Sequence, residues 1–101
     1  MADREILGVD GSEPADAETC FARGMIFSAG AGVAVDLIAA HMWFNIAASR
    51  GHRDAARLRR EIAEQMADGE IGEAQRAARA WLKAHPLETE RPARQNVRVA
   101  A

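Results

Sequence analysis

The chain has 101 residues, of which 49% are hydrophobic, 5% aromatic and 28% charged. A chain of this length forms one small domain with a modest core, and its formal net charge of −2 argues against a general affinity for nucleic acid. Its single cysteine, Cys20, excludes a disulfide within the chain. The N-terminus lacks a signal-peptide pattern and no apolar run is long enough to span a membrane, so we expect a cytoplasmic protein without membrane insertion.

The first predicted helix runs from Pro14 to Ser28. Ser12 supplies a hydroxyl ahead of it, and a proline in the first turn suits a helix start. Gly24 lowers helix propensity by roughly 1 kcal/mol relative to alanine, which predicts that a second helix backbone passes close to it. Small and apolar residues recur on one face at three- and four-residue spacing: Ala17, Cys20, Phe21, Gly24, Met25 and Phe27.

Two glycines indicate a tight turn after this helix. Gly30 and Gly32 stand where the chain has to adopt a left-handed conformation, which glycine accepts without penalty. Val33 is then placed to fold back onto the helix end. Asp36 is a suitable N-cap for the next helix because its carboxylate accepts hydrogen bonds from free backbone N–H groups.

Three further helices are predicted at Asp36–Arg50, Arg53–Met66 and Glu70–Ala84, with breaks at Gly51 and at Asp68-Gly69. His52 occupies the cap position of the third helix. Each of the three helices has an apolar face. The face of the second helix comprises Leu37, Ala40, Trp43, Phe44, Ala47 and Ala48, and that of the third comprises Ala55, Leu58, Ile62 and Met66. The face of the fourth comprises Ile71, Ala74, Ala78, Trp81 and Leu82.

The spacing over Ala22–Ala55 resembles the Sel-one-like repeat, a relative of the tetratricopeptide repeat. That pattern runs Leu-Gly, two residues, Tyr, two residues, Gly-x-Gly-Val, then Asp, Ala, an aromatic pair, Ala-Ala and Gly. Arg23 stands where the family has Leu, and Phe27 stands for Tyr. The residues that match, including that Phe, are Gly24, Phe27, Gly30, Gly32, Val33, Asp36, Ala40, Trp43, Phe44, Ala47, Ala48 and Gly51.

The resemblance implies an all-α fold: a short, tetratricopeptide-like α/α-solenoid fragment of about four antiparallel helices. The third helix lacks a second Gly-x-Gly-Val turn, so the repeat ends there. The fourth helix is similar to the closing helix of many bacterial repeat proteins and would cap the repeat. We therefore expect one helical domain over residues 1–85 and an Arg- and Pro-containing tail over residues 86–101.

The resemblance also implies a protein that holds other proteins. The sequence has no recognisable catalytic constellation, so we expect no enzymatic activity and no cofactor. His41, His52 and His85 do not have metal-ligand spacing, and Gly30-Ala31-Gly32 lacks the Gly-Lys-Ser/Thr of a phosphate loop. A second interpretation is a small accessory subunit built permanently into a larger enzyme or membrane-associated complex. Nucleic-acid binding through the arginines is the third, and self-association is a further option because one repeat leaves little core to spare.

Two groups of residues are candidates for partner binding. Arg23, Trp43 and Phe44 form the first, because a charge at a normally buried repeat position indicates a functional surface. Alternatively, the aromatic side chains of Trp43 and Phe44 belong to the hydrophobic core and bind no partner. Arg53, Arg57 and Arg60 form the second group, which suits either an acidic partner or a solvated face with Glu61 and Glu64 as intrahelical partners.

Overall fold

The computed structural model of the chain describes residues 16–87. Four helices follow one another there: α1 (Ala17–Ala29), α2 (Leu37–Ser49), α3 (Ala55–Ala63) and α4 (Asp68–Ala84). This part of the chain contains no strand, which confirms the predicted all-α fold class. The predicted roles of Ser12 and Pro14, and of the tail from residue 88 onward, fall outside the described residues.

The N-termini of α1 and α2 are capped by aspartates. Asp36 has an extended backbone and accepts a hydrogen bond from the Ala39 N–H at 3.0 Å, which confirms its predicted role. Asp16 has the same function in α1, where it accepts from the Thr19 N–H at 2.9 Å. Helix α1 therefore begins at Ala17, with Asp16 as its N-cap residue.

The break before α4 also differs from the prediction. Asp68 and Gly69 form the first turn of α4 instead of separating it from α3. Ala67, with an extended backbone, is the N-cap residue, and its N–H donates to the Glu70 side chain at 2.9 Å. Acidic residues at a helix N-terminus are stabilised by the helix dipole, which explains why Asp68 begins a helix here.

Glycines end α1 and α2 in the left-handed region. Gly30 has φ +71°, Gly32 has φ +79° and Gly51 has φ +101°, which confirms the predicted turn. The Gly30 N–H donates to the Ile26 carbonyl at 2.9 Å, and the Asp36 N–H donates to the Phe27 carbonyl at 3.1 Å. The second bond fixes the start of α2 against the end of α1. Val33 lies half-buried within the same turn.

Helix α2 is the centre of the fold. It packs extensively against α1, α3 and α4, whereas the other three helices make few contacts with one another. The closing helix α4 thus lies on α2 and not mainly on α3, the helix before it in the chain. The buried side chains form two clusters, and both include residues of α2. The first cluster comprises Cys20, Trp43, Ile46, Ala47, Ala55 and Ala78. The second comprises Ala40, Phe44, Ile62, Met66 and Ala74.

Gly24 on α1 faces the ring of Phe44 on α2. A Cβ atom at this position would lie 2.5 Å from two ring carbons of Phe44. The sequence predicted a close helix backbone at Gly24, but the neighbour is the Phe44 ring. Phe21 on α1 completes the contact, with its ring centroid 5.5 Å from that of Phe44. Gly24 is therefore required by packing.

Candidate partner-binding surfaces

The first candidate group is buried. Arg23 is 8% exposed, Trp43 is 8% exposed and Phe44 is 1% exposed. The guanidinium carbon of Arg23 lies 5.0 Å from the centroid of the Trp43 ring, a cation–π contact between α1 and α2. The prediction that these three residues form an exposed contact surface is wrong. The interpretation of Trp43 and Phe44 as core is confirmed.

The same cation–aromatic chemistry extends to α4. Trp43 meets Trp81 edge to face, with 5.4 Å between the ring centroids, and Trp81 stacks on His85 at 4.1 Å. Arg50 lies over Trp81 at 5.5 Å and donates to the His85 carbonyl at 2.6 Å. Arg23 and Arg50 thus flank a pair of tryptophans that joins α4 to α2. The sequence placed both tryptophans on apolar faces but did not reveal these arginine partners.

The second candidate group is exposed, and its members differ in pairing. Arg57 binds Glu61 at 3.1 Å and Asp54 at 3.7 Å along its own helix. Arg53 and Arg60 are exposed and form no ion pair or hydrogen bond among the described residues. Arg57 therefore fits the prediction of a solvated helix face with intrahelical ion pairs. The charges of Arg53 and Arg60 are not neutralised by a carboxylate among the described residues.

An open depression of about 440 Å³ lies beside Arg53, where the α2–α3 loop meets the start of α1. His52 stacks on Phe21 with 3.8 Å between the ring centroids, and its Nδ1 accepts from the Asp54 N–H at 3.2 Å. The neutral ring therefore carries its proton on Nε2, which faces a Glu18 carboxylate oxygen at 3.4 Å. The N-cap of α3 is Asp54 and not His52, so the predicted cap position is wrong by two residues; His52 instead holds the Asp54 N–H from the preceding turn.

His41 is the buried polar residue that sequence reasoning treated as ordinary. It is 2% exposed, and its Nδ1 has no hydrogen-bond partner. Burial lowers the pKa of His41 below its usual value, and the positive charge of Arg59 lowers it further. Arg59 itself donates to the Asn45 side chain at 3.4 Å. His41 is consequently a buried side chain of α2 whose neutral form is favoured.

An apolar surface that the sequence did not reveal lies on the outer side of α1. Met25, predicted to belong to the buried face, is 43% exposed, and Val35 in the following turn is 58% exposed. Ala22 and Ala29 are exposed on the same side of the helix. The period of about 100° per residue places Met25 at the edge of the buried face. Among the helices within residues 16–87, only α2 packs extensively against α1.

The remaining residues of the repeat pattern have structural positions. Phe27 is half-buried and packs against both core clusters, and Ala48 packs against the first of them. Ala40 and Ala47 are fully buried, where larger side chains would separate the helices. Gly51 ends α2, as predicted. These residues therefore build the fold and do not line a surface.

Comparison with models of protein families, with curated proteins and with solved structures finds no match to this chain. Within residues 16–87, no group of three His, Cys, Asp or Glu side chains could hold a metal ion. The same residues include no helix with both the length and the apolarity to cross a bilayer.

Proposed function

We propose that this protein is a non-enzymatic adaptor that binds an acidic segment of another protein through Arg53 and Arg60. One observation carries the proposal: both side chains are exposed, and neither has a carboxylate partner in residues 16–87. An acidic partner would supply those carboxylates. Arginine is enriched among the residues that dominate binding at interfaces.

The local charge around these arginines supports an acidic partner. The segment from Arg50 to Glu64 contains five arginines and three acids, Asp54, Glu61 and Glu64, although the whole chain has a formal net charge of −2. Such a local excess of positive charge attracts an acidic surface and raises the rate of encounter. The attraction is screened by salt, so we expect partner binding to weaken as ionic strength rises.

The resemblance of Ala22–Ala55 to the Sel-one-like repeat agrees with this function, because such repeats imply a protein that holds other proteins. We place the adaptor in the cytoplasm, where a single reduced cysteine such as the buried Cys20 is ordinary. We place the surface at Arg53, in the turn before α3, and at Arg60 on α3, and not in the Arg23 region, because Arg23 is engaged with Trp43.

The accessory-subunit alternative is favoured by the small size of the core. Within residues 16–87 the largest side chains with essentially no exposed surface are those of Phe44, Ile46 and Cys20, and five of the buried apolar residues there are alanines. Such a domain has limited stability by itself, and a bound partner would increase it by mass action. A partner that survives extensive washing and co-migrates at fixed stoichiometry would identify a permanent subunit instead of an exchanging adaptor.

The test is affinity purification of the tagged full chain from its native cells, with nuclease treatment and identification of partners by mass spectrometry. We expect a partner recovered by the wild type and lost by the double variant Arg53→Glu/Arg60→Glu. The matched control is Arg76→Glu/Arg79→Glu, which makes the same charge change on the exposed side of α4. Equal recovery by all three chains would exclude the α3 surface, and loss on nuclease treatment would indicate nucleic acid.

A further inference from the structure

His52 joins the start of α3 to α1 through three contacts of one imidazole ring. The ring stacks face to face on Phe21 of α1, with 3.8 Å between the centroids and 9° between the planes. Its Nδ1 accepts a hydrogen bond from the Asp54 N–H at 3.2 Å, and its Nε2 lies 3.4 Å from a Glu18 carboxylate oxygen. The His52 side chain is 11% exposed, and the three contacts define the orientation of its ring.

The hydrogen bond from the Asp54 N–H requires a neutral ring. In a neutral imidazole one nitrogen donates and the other accepts, whereas both nitrogens donate in the protonated ring. A proton on Nδ1 would face the Asp54 N–H, and two donors cannot form a hydrogen bond with each other. Nε2 donates in both states, and its contact with Glu18 becomes charge-assisted when the ring is protonated. Protonation therefore breaks one contact of the ring and strengthens another.

The contact that protonation breaks secures the turn before α3. Asp54 is the N-cap residue of α3, but its side chain forms no cap hydrogen bond. The Asp54 carboxylate instead lies 3.7 Å from the Arg57 guanidinium. The free N–H groups at a helix start depend on acceptors from outside the helix. Nδ1 of His52 is such an acceptor, and its loss leaves the Asp54 N–H to solvent.

We propose that His52 is a pH-sensitive switch for the turn that carries Arg53. In the closed state the neutral ring holds the Asp54 N–H while it stacks on Phe21. In the open state the protonated ring releases this N–H and binds Glu18 more strongly. Histidine side chains ordinarily change charge between pH 5 and pH 8, which sets the range of the test. The switch involves this chain alone, so it is independent of the proposed adaptor function.

Charged side chains from the neighbouring elements surround the ring. Helix α1 supplies Glu18, the acid that lies against a ring nitrogen. The turn and the start of α3 supply Arg53 and Asp54, one charge of each sign, which line the same depression as the ring. Arg50, at the end of α2, is engaged with Trp81 of α4. Glu18 is thus the neighbour whose bond to the ring gains from protonation, and the Asp54 N–H is the one that loses.

The test is nuclear magnetic resonance of the nitrogen-15-labelled full chain from pH 8 to pH 5. At pH 8 we expect the His52 ring to carry its proton on Nε2 and none on Nδ1. On acidification the Asp54 amide signal should shift with the same midpoint as the ring. Its protection against hydrogen exchange should fall roughly two- to tenfold, as the loss of one hydrogen bond implies. The Ala39 amide, which donates to Asp36, is the internal control and should not respond with that midpoint.

The matched variant is His52→Asn, because an asparagine side-chain oxygen accepts from the N–H two residues further along the chain without titrating. We expect its Asp54 amide to keep the same protection from pH 8 to pH 5. A proton on Nδ1 at pH 8, or a ring that stays neutral down to pH 5, would overturn the proposal. So would an Asp54 amide that does not respond as His52 titrates, or one that responds equally in His52→Asn. The wild-type measurement decides the question by itself if the variant does not fold.

Discussion

The guanidinium of Arg23 lies over the indole ring of Trp43, with its carbon atom 5.0 Å from the ring centroid. This contact joins α1 to α2 at a position where the resembled repeat has leucine. A buried arginine that stacks on an aromatic ring covers apolar surface with its stem and keeps its charge stabilised by the ring. Arg23 therefore replaces leucine as a packing residue.

The first prediction follows from that contact. Arg23→Ala should lower the free energy of unfolding by about 1–2 kcal/mol, because a partly desolvated cation–π contact and its packing are lost. Arg79→Ala, on the exposed side of α4, should change it by less than about 0.5 kcal/mol. Urea denaturation followed by far-ultraviolet circular dichroism measures both. Equal midpoints for Arg23→Ala and the wild type would show that the stacking contributes nothing.

The second prediction concerns two helical glycines with opposite surroundings. Gly24→Ala places a Cβ atom 2.5 Å from the Phe44 ring, so the ring or the helix has to move. We expect a loss of about 1–3 kcal/mol, the usual cost of overpacking. Gly69→Ala, in the first turn of α4, meets no atom within 4 Å and should raise stability by up to about 1 kcal/mol.

The unfolding free energies of Gly24→Ala, Gly69→Ala and the wild type are measured by thermal or urea unfolding. Helix propensity alone would raise the stability of both variants, so a difference in sign isolates the contact with Phe44. The double variant Gly24→Ala/Phe44→Leu should recover part of the loss because the smaller side chain makes room. A stabilising Gly24→Ala would contradict the close packing of α1 and α2.

How far the sequence predicted this structure depends on the range of each interaction. The turn was predictable because Gly30, Gly32 and Asp36 act on backbone groups within a few residues of themselves. The Arg23–Trp43 contact was not, since it depends on how two helices meet. Likewise, the apolar residues of α4 were identified, but nothing local indicated that this helix lies on α2. The exposure of Met25 depends on which helices pack against α1, and within residues 16–87 only α2 does so extensively, which a pattern of residues cannot show.

The third prediction tests the turn that the sequence did specify. Gly30→Val should lower the free energy of unfolding by about 1–3 kcal/mol, because φ is +71° and a β-branched side chain is strained there. The new Cβ would also lie 2.9 Å from a methyl carbon of Val35. Gly51→Val has a similar positive φ but no atom within 4 Å, so it should cost less than Gly30→Val. Equal losses of stability in Gly30→Val and Gly51→Val would show that the contact with Val35 does not affect stability.

The last prediction concerns acid and His41. An unfolded histidine takes up a proton near pH 6.5, whereas native His41 stays neutral to a lower pH because burial and the Arg59 charge lower its pKa. Below pH 6.5 the unfolded state thus binds more protons than the native state, and protons favour unfolding. The contribution of His41 to stability is complete above that pH. It is lost progressively as the pH falls, until native His41 itself becomes protonated.

The measurement is the unfolding free energy of the wild type and of His41→Leu from pH 7.5 to pH 5. Leucine keeps an apolar side chain in the buried position and cannot titrate, so the variant should lose less stability on acidification than the wild type does. All other titrating groups are shared by the two chains, and the difference between the two pH profiles therefore reports His41 alone. The difference should be flat above pH 7 and should grow below pH 6.5. Parallel profiles across the whole range would show that His41 titrates equally in the native and unfolded states.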